Sequence, residues 1–265
     1  MLKDITLGQY FPGDTVVHRL DPRTKLILVM LYIIALFNAK GWAAYIVMIA
    51  VTMISMAISH INLKNIFKGL KPMMFIIALT ALLNLFYTQG TPIREGWIIT
   101  WEGIERAVKM MLRITLLITG TFLLTYTTSP MALTDGLERL LNPLKKLKVP
   151  VHEITLMMSM ALRFIPTLIE ETDKIMSAQK ARGADFETGN LIERAKALLP
   201  ILVPLFVSAF RRADELAVAM ESRCYHGGEG RTRLKQLRFE GRDFTALFLG
   251  VLLVAAVFVL KHYGL

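Results

Sequence analysis

The sequence has a single cysteine, Cys224, and lacks the motifs that define several common enzyme classes. One thiol cannot form an internal disulfide, and it supplies too few thiolates for a cysteine-based zinc or iron–sulfur site. The chain has no G-x-x-x-x-G-K-[ST] loop for binding ATP and no H-E-x-x-H motif of a zinc protease. Its first residues, MLKDITLGQYFPGDTVVHRLDP, contain no continuous apolar run, so they do not form a cleavable signal peptide.

Hydrophobic residues are what the chain has in excess. They make up 54% of 265 residues, with a formal charge of +10 and a mean hydropathy of +0.48. A bilayer core of about 30 Å is crossed by roughly 17 to 25 helical residues, and five apolar stretches approach that length: Thr24–Ala39, Ala43–Ser59, Pro72–Tyr87, Met110–Tyr126 and Phe244–Leu260. We therefore expect about five transmembrane helices.

Lysine and arginine in the short connections predict the orientation, because positive residues near span ends are retained in the cytoplasm. The connection between residues 60 and 71 has three lysines and no acidic residue, whereas the loop between residues 89 and 109 has three basic and three acidic residues. The N-terminus is therefore expected inside and the C-terminus outside. We expect residues 1–127 to hold the tail and transmembrane helices 1–4, residues 128–242 to form a cytoplasmic segment, and residues 243–265 to form the last span.

Two long amphipathic patterns lie in this cytoplasmic segment, and each leads to an arginine. Apolar residues on alternating spacings of four and three are typical of a packed helix face. The first pattern has Ile154, Met158, Ala161, Ile165, Leu168 and Ile175, and its next position in phase is Arg182. The second runs without a break through Ile192, Ala195, Leu199, Leu202, Phe206, Ala209, Ala213, Leu216 and Met220 to Arg223. The sequence thus predicts an all-α integral membrane protein with about five transmembrane helices plus a cytoplasmic pair of long helices.

The two helix ends resemble each other at an offset of forty-one residues, since TDKIMSAQKARG aligns with ADELAVAMESRC. We expect each helix to be about thirty residues and about 45 Å long, with bends at Pro166, Pro200 and Pro204. Two interpretations of the arginines remain open. In the first, a positively charged side chain in the last turn interacts favourably with the helix dipole, and Gly183 caps the helix. Alternatively, the rigid fork of arginine suits a partner groove lined by carboxylates and carbonyls.

The segment GQYFPGDTVVHRLDPRTKL, together with KARG and ESRCY, resembles the T component of energy-coupling factor ABC transporters, their transmembrane scaffold subunit. The resemblance covers nearly the whole chain and implies that each arginine docks on one of two cytoplasmic ATPase subunits at the end of a coupling helix. The implied docking residues are Ala181, Arg182, Gly183, Ser222, Arg223 and Cys224. The second motif replaces both neighbours of the arginine, and cysteine adopts the left-handed conformation less readily than glycine. The run HRLDPRTK also fits a snorkelling basic collar and a proline-started helix.

The resemblance further implies a mechanical role in the inner membrane of a bacterial or archaeal cell. ATP and Mg would be bound by the ATPase subunits and no cofactor by this chain, while a small membrane-embedded S subunit would bind a vitamin or other micronutrient. Methionines adapt to varied partners, so Met157, Met158 and Leu162 are expected to contact the S subunit, although ordinary core packing would also explain them. Nucleic acid is not expected, because lipid attraction and positive-inside bias explain the basic excess.

A stand-alone secondary transporter or channel is the alternative function. Ion-coupled transport needs ionisable residues inside the spans, but the central parts of all five stretches carry no charge, and Arg113 lies only just inside the fourth. A membrane enzyme has still less support, because the chain shows no nucleophile and base pair.

Overall fold

The computed structural model describes residues 10–92, 100–186, 190–227 and 237–263. Within these ranges the chain forms ten α-helices: α1 Pro22–Asn38, α2 Trp42–Ser59, α3 Leu63–Leu70, α4 Met74–Tyr87, α5 Trp101–Thr127, α6 Pro130–Leu141, α7 Val151–Ala181, α8 Leu191–Ala197, α9 Leu199–Glu221 and α10 Gly241–His262. Short 3-10 turns, Lys71–Met73 and Asn142–Leu147, follow α3 and α6. The predicted all-α fold is confirmed.

The described residues form two compact units. The bundle unit contains α1 to α6 and α10, between residues 8 and 140 and from residue 237 onward. The long-helix unit contains α7, α8 and α9, between residues 141 and 236. Which residues lie in the cytoplasm stays a prediction.

Four helical segments of the described residues are long and apolar enough to cross a membrane: Trp42–Ser59, Leu63–Tyr87, Trp101–Thr127 and Gly241–His262. They contain four of the five apolar stretches found in the sequence. The remaining stretch forms α1, whose 17 residues reach about 25 Å. As predicted, α1 starts at a proline, with the Asp21 side chain accepting a hydrogen bond from the Arg23 amide.

α1 and α10 pack side by side and run in the same direction. At their N-terminal ends the amide of Asp21 donates to Oδ1 of Asp243 at 2.9 Å. At their C-terminal ends Nζ of Lys261 donates to Oδ1 of Asn38 at 2.8 Å. The approach is close, because a Cβ on Gly250 would lie 2.6 Å from the Leu28 side chain. If both helices cross a membrane, the chain must cross it an odd number of times in all.

Lys25 in the first turn of α1 joins this helix to the C-terminal end of α5. Its Nζ donates to the carbonyls of Thr127 at 2.8 Å and His18 at 3.1 Å, and the Phe11 amide donates to the Tyr126 carbonyl at 3.0 Å. The last carbonyls of a helix lack intrahelical partners, and a cation is stabilised there. Lys25 is only 5% exposed. The snorkelling interpretation is therefore wrong for Lys25, because its ammonium caps α5 instead.

α3 and α4 lie along α5 in the antiparallel direction. Near the C-terminal end of α5, the Tyr126 hydroxyl donates to the Asn65 carbonyl at 3.4 Å. One turn further along both helices, a Cβ on Gly69 would lie 2.6 Å from the Phe122 ring. The N-terminal end of α3 is therefore at the same end of the bundle unit as the N-terminal end of α1.

Arg113, the charged residue near the edge of the fourth apolar stretch, caps another helix. Its Nη2 donates to the carbonyl of Ala39, the residue after α1, at 2.9 Å. The guanidinium also lies 6.0 Å from the centre of the buried Tyr45 ring. Since a cation stabilises a helix C-terminus, the position of Arg113 has a structural explanation that requires no ion-transport role.

Candidate functional site

The first predicted arginine tip ends α7 in a Schellman motif. The amide of Gly183 donates to the Lys180 carbonyl at 3.0 Å, and the amide of Ala184 donates to the Gln179 carbonyl at 3.0 Å. Gly183 is left-handed, with φ of 87°, as this motif requires after the helix cap. Arg182 therefore occupies the cap position itself, with φ of −85° and ψ of 4°.

The second tip ends α9 in the same way. The amide of Cys224 donates to the Glu221 carbonyl at 2.8 Å, and the amide of Tyr225 donates to the Met220 carbonyl at 3.0 Å. Cys224 is left-handed with φ of 55°. Arg223 immediately precedes this left-handed residue, as Arg182 precedes Gly183 on α7, although α9 ends at Glu221 and Ser222 is its cap residue. The two tips thus share one backbone geometry although cysteine replaces glycine.

The left-handed backbone at Cys224 carries a local energetic cost. A side chain with a Cβ pays roughly 1–2 kcal/mol to be left-handed, and glycine avoids this cost. The two orphan carbonyls that the Schellman motif satisfies offset it. Sequence reasoning left the geometry of this tip open, because residue preference alone does not say whether the hydrogen bonds or the strain dominates.

Both arginines are exposed, as are all six predicted docking residues. Neither guanidinium forms a salt bridge with another residue in the part of the chain that the structure describes. An arginine has five N–H donors and suits carboxylate or carbonyl acceptors. Each tip therefore presents a full set of donors at the end of a rigid helix.

α7 and α9 pack antiparallel in the long-helix unit. Nε2 of Gln179 donates to the Pro200 carbonyl at 3.3 Å near one end of the pair. Near the other end, Met157 and Met220 line the same groove. Arg182 and Arg223 consequently lie at opposite ends of the helix pair.

A salt bridge joins the middle of this pair. Nη2 of Arg212 on α9 lies 2.7 Å from Oε2 of Glu171 on α7. Both side chains are partly buried, with 34% and 22% of their surfaces exposed. Sequence reasoning missed this pair, although its residues stand at the same offset of forty-one positions as the two arginines. The offset alone could not have revealed it, because the two arginines at the same offset lie at opposite ends of the helix pair.

The second long pattern is not one continuous helix. α8 ends at Ala197 and α9 begins at Leu199, with a turn at Leu198. Pro200 stands in the first turn of α9 instead of bending it, where its missing N–H costs nothing. The expected length of about thirty residues is confirmed for α7, with 31 residues, and wrong for α9, with 23.

The groove between the two helices is apolar. It is lined from α7 by Met157, Met160, Phe164 and Leu168 and from α9 by Ala209, Arg212, Ala213, Leu216, Ala217 and Met220. On the α9 side, Ala209, Ala213, Leu216 and Met220 belong to the predicted stripe, whereas Arg212 and Ala217 do not. On α7 only Leu168 belongs to the predicted stripe, because the stripe that faces α9 is rotated from the predicted one.

The three residues expected to contact another membrane subunit lie on the N-terminal half of α7. Met157 is 61% exposed and Met158 is 40% exposed, and Leu162 is partly exposed. They lie toward the end of the pair that carries Arg223. Their contact with a partner stays a prediction.

Among the described residues, no group of three or more His, Cys, Asp or Glu side chains is placed so that it could hold a metal ion. What the described site offers is two cationic tips, an apolar groove and a salt bridge that joins the helices. Exposed arginines beside an apolar groove are typical of surfaces that bind other proteins.

Comparison with known proteins places this chain among transporter subunits. The CbiQ family model, described as cobalt transport protein, matches residues 13–234. The chain is 54% identical over 258 residues to the energy-coupling factor transporter transmembrane protein EcfT of Clostridium kluyveri, covering 96% of both chains. It is 53% identical over 264 residues to the protein of that name from Ruminiclostridium cellulolyticum, covering 99% of both. The Bacillus subtilis protein is 48% identical over 264 residues, covering 98% of this chain and 100% of the relative.

Proposed function

Because the chain belongs to the CbiQ family as a transmembrane scaffold subunit of energy-coupling factor transporters, we propose that Arg182 and Arg223 each dock on one of two cytoplasmic ATPase subunits. The observation that carries this proposal is the shared Schellman hydrogen-bond pattern, which places each arginine immediately before the left-handed residue of the motif. A structural role in capping one helix would not require an exposed arginine at the same position of a second.

The docking contact follows from the chemistry of the tips. A guanidinium that enters a groove lined by carboxylates and carbonyls forms charge-assisted hydrogen bonds, and its fork fixes orientation as well as affinity. Gly183 and Cys224 end the helix immediately after each arginine. The flanking residues Ala181 and Ser222 are small, so they leave room for the walls of such a groove.

Coupling then runs through the helix pair. ATPase subunits that bind and hydrolyse ATP with Mg change the separation of their grooves, and the tips at opposite ends of α7 and α9 follow them. The motion reaches an S subunit, which holds a vitamin or other micronutrient, through contacts that include Met157, Met158 and Leu162. This chain performs no catalytic step itself.

The proposed topology in the bacterial or archaeal cell membrane has the N-terminus inside and the C-terminus outside. The parallel packing of α1 and α10 supports it, since two parallel spans require an odd number of crossings. The four long apolar segments together with α1 give five. The lysines of the 60–71 connection then lie on the cytoplasmic side, as positive-inside bias requires.

Charge reversal at the tips tests the docking proposal. Truncating one partner of a hydrogen-bonded interfacial charge typically costs about 2–5 kcal/mol, so Arg182→Glu and Arg223→Glu should each strongly weaken ATPase co-purification, and the double variant should lose both subunits. Arg211→Glu is the matched control, because Arg211 is exposed on α9 away from the tip. Undiminished recovery of both ATPases with a membrane-inserted double variant would refute the proposal.

Photocrosslinkers at positions 157, 158 and 162 test the second contact. In an assembled transporter they should capture the S subunit, whereas a crosslinker at the exposed Lys174 on the other half of α7 should capture much less. Equal capture from both regions would argue against a defined S-subunit contact.

Cysteine labelling tests the topology. In a Cys224→Ala background, a membrane-impermeant maleimide should label Tyr263→Cys in intact cells and Arg19→Cys only after lysis. The reverse pattern, or labelling of both positions in intact cells, would overturn the proposed orientation.

A further inference from the structure

Three lysines form a row along one face of α3 and the turn after it. Lys64, Lys68 and Lys71 are spaced at i, i+4 and i+7, which places them on one side of a helix. All three are exposed, and none forms a salt bridge within the described residues. No acidic residue occurs between residues 60 and 71. The lysine row is therefore a concentrated positive charge that packing inside the described chain does not explain.

Apolar side chains border the lysine row on the outside of the bundle unit. Leu63 is 49% exposed, Phe67 is 69% exposed and Met74 is 63% exposed. The side of α3 across from the three lysines packs inward, through the buried Ile66 and Leu70. α3 thus has an inner apolar face, an outer apolar face and a basic face, which is the pattern of a helix at a membrane interface.

Neighbouring helices locate α3 at one end of the bundle unit. The contact between Tyr126 and Asn65 lies next to Thr127, whose carbonyl Lys25 of α1 caps. In the other direction, the charge-free run Pro72–Tyr87 begins directly after Lys71. The lysine row therefore lies where a membrane-crossing segment begins, on the side of the protein that holds the start of α1.

We propose that Lys64, Lys68 and Lys71 bind the phosphate groups of anionic phospholipids, while Leu63, Phe67 and Met74 contact the adjoining acyl chains. A phospholipid presents negative charge and hydrocarbon side by side, which matches a basic face next to an exposed apolar face. An acidic protein surface would match only the lysines. Each lysine near a membrane surface adds attraction to anionic lipid, so three in a row select charged over zwitterionic headgroups.

Lipid titration of the purified chain tests this proposal without any partner subunit. The delipidated protein is titrated with phosphatidylglycerol or phosphatidylcholine in detergent, and bound lipids are counted by native mass spectrometry. The wild-type chain should prefer phosphatidylglycerol, and the Lys64→Gln, Lys68→Gln, Lys71→Gln triple variant should lose that preference by about tenfold or more. The triple arginine variant should keep it, since the charge is retained.

A second triple variant controls for net charge. Lys145, Lys146 and Lys148 are also exposed but lie in the long-helix unit, and changing them to glutamine should leave the lipid preference at the wild-type level. An equal loss in both variants, or an unchanged preference in the first, would overturn the proposal. The proposal would also be overturned if the Lys64, Lys68 and Lys71 triple variant kept its lipid preference but, in a separate purification from cells, no longer co-purified with a membrane subunit. That result would show that the lysine row binds protein. Since the titration contains no ATPase, its outcome is independent of the docking proposal.

Discussion

Exchanging the residues that follow the two arginines should change the stability of the two helix ends in opposite directions. Cys224 and Gly183 occupy equivalent left-handed positions, with φ of 55° and 87°. Cys224→Gly removes a conformational cost of roughly 1–2 kcal/mol, whereas Gly183→Ala introduces one. A Cβ at position 183 would meet no atom within 4 Å, so the cost there is conformational and not steric.

Amide hydrogen exchange measures this effect locally. The amide of Tyr225 bonds to Met220, and that of Ala184 bonds to Gln179, so each reports the opening of one Schellman motif. About 1 kcal/mol corresponds to roughly a fivefold change in an equilibrium constant. Cys224→Gly should slow exchange at Tyr225 by about that factor, and Gly183→Ala should accelerate exchange at Ala184 similarly.

Ser222→Gly is the control for this pair. Ser222 is right-handed, with φ of −63°, so glycine there should weaken the helix end by about 0.5–1 kcal/mol and accelerate exchange at Tyr225. Faster exchange at Tyr225 in Cys224→Gly, or a change of exchange rate in the same direction in all three variants, would refute the argument that left-handed strain at the second tip is significant.

Three further predictions follow from other contacts. The Glu171–Arg212 pair joins α7 to α9 and is worth about 1 kcal/mol or less at its partial exposure. Reversing one of its charges should loosen this contact and lower the transport per ATP hydrolysed, and Glu171→Arg combined with Arg212→Glu should restore it. A double variant that transports as poorly as the single variants would show that this contact does not contribute to coupling. Gly69→Ala should lower the free energy of unfolding in detergent by about 1–3 kcal/mol, because the added Cβ would lie 2.6 Å from the Phe122 ring. Gly241→Ala is the control and should be nearly neutral, because a Cβ there would have no neighbour within 4 Å. Burial lowers the pKa of His18 below its ordinary value of 6.5, so as the pH falls the unfolded segment takes up a proton before the folded segment does. The folded segment should therefore lose stability, and the Phe11 amide should lose protection from exchange, as the pH drops below about 6.5. His18→Gln should abolish that dependence.

The helices and the arginine tips could be predicted because they depend on local sequence. A period of three and four apolar residues specifies an amphipathic helix, and glycine after Arg182 marks the end of α7. The interruption at Leu198 was missed because the apolar pattern continues through it. Pro200 has no amide to donate to a carbonyl four residues earlier, so a new helix begins there without any change in hydrophobic periodicity.

Long-range contacts could not be predicted in this way. The hydrogen bond between Asp21 and Asp243 joins residues 222 positions apart, and nothing local in either segment specifies the other. The sequence around Lys25 also fits a snorkelling collar, but the Lys25 ammonium donates to the Thr127 carbonyl at the end of α5. Only the packing of the helices determines which outcome is realised.

The salt bridge in the middle of the long-helix pair has a mechanical consequence. Glu171 precedes Arg182 by eleven residues, and Arg212 precedes Arg223 by eleven residues, so both arms measured from this pivot are about 16 Å long. Tilting one helix against the other by about 10° would displace the two tips by equal amounts of about 3 Å. If one ATPase docks on each tip, as proposed above, arms of equal length would give both subunits the same displacement.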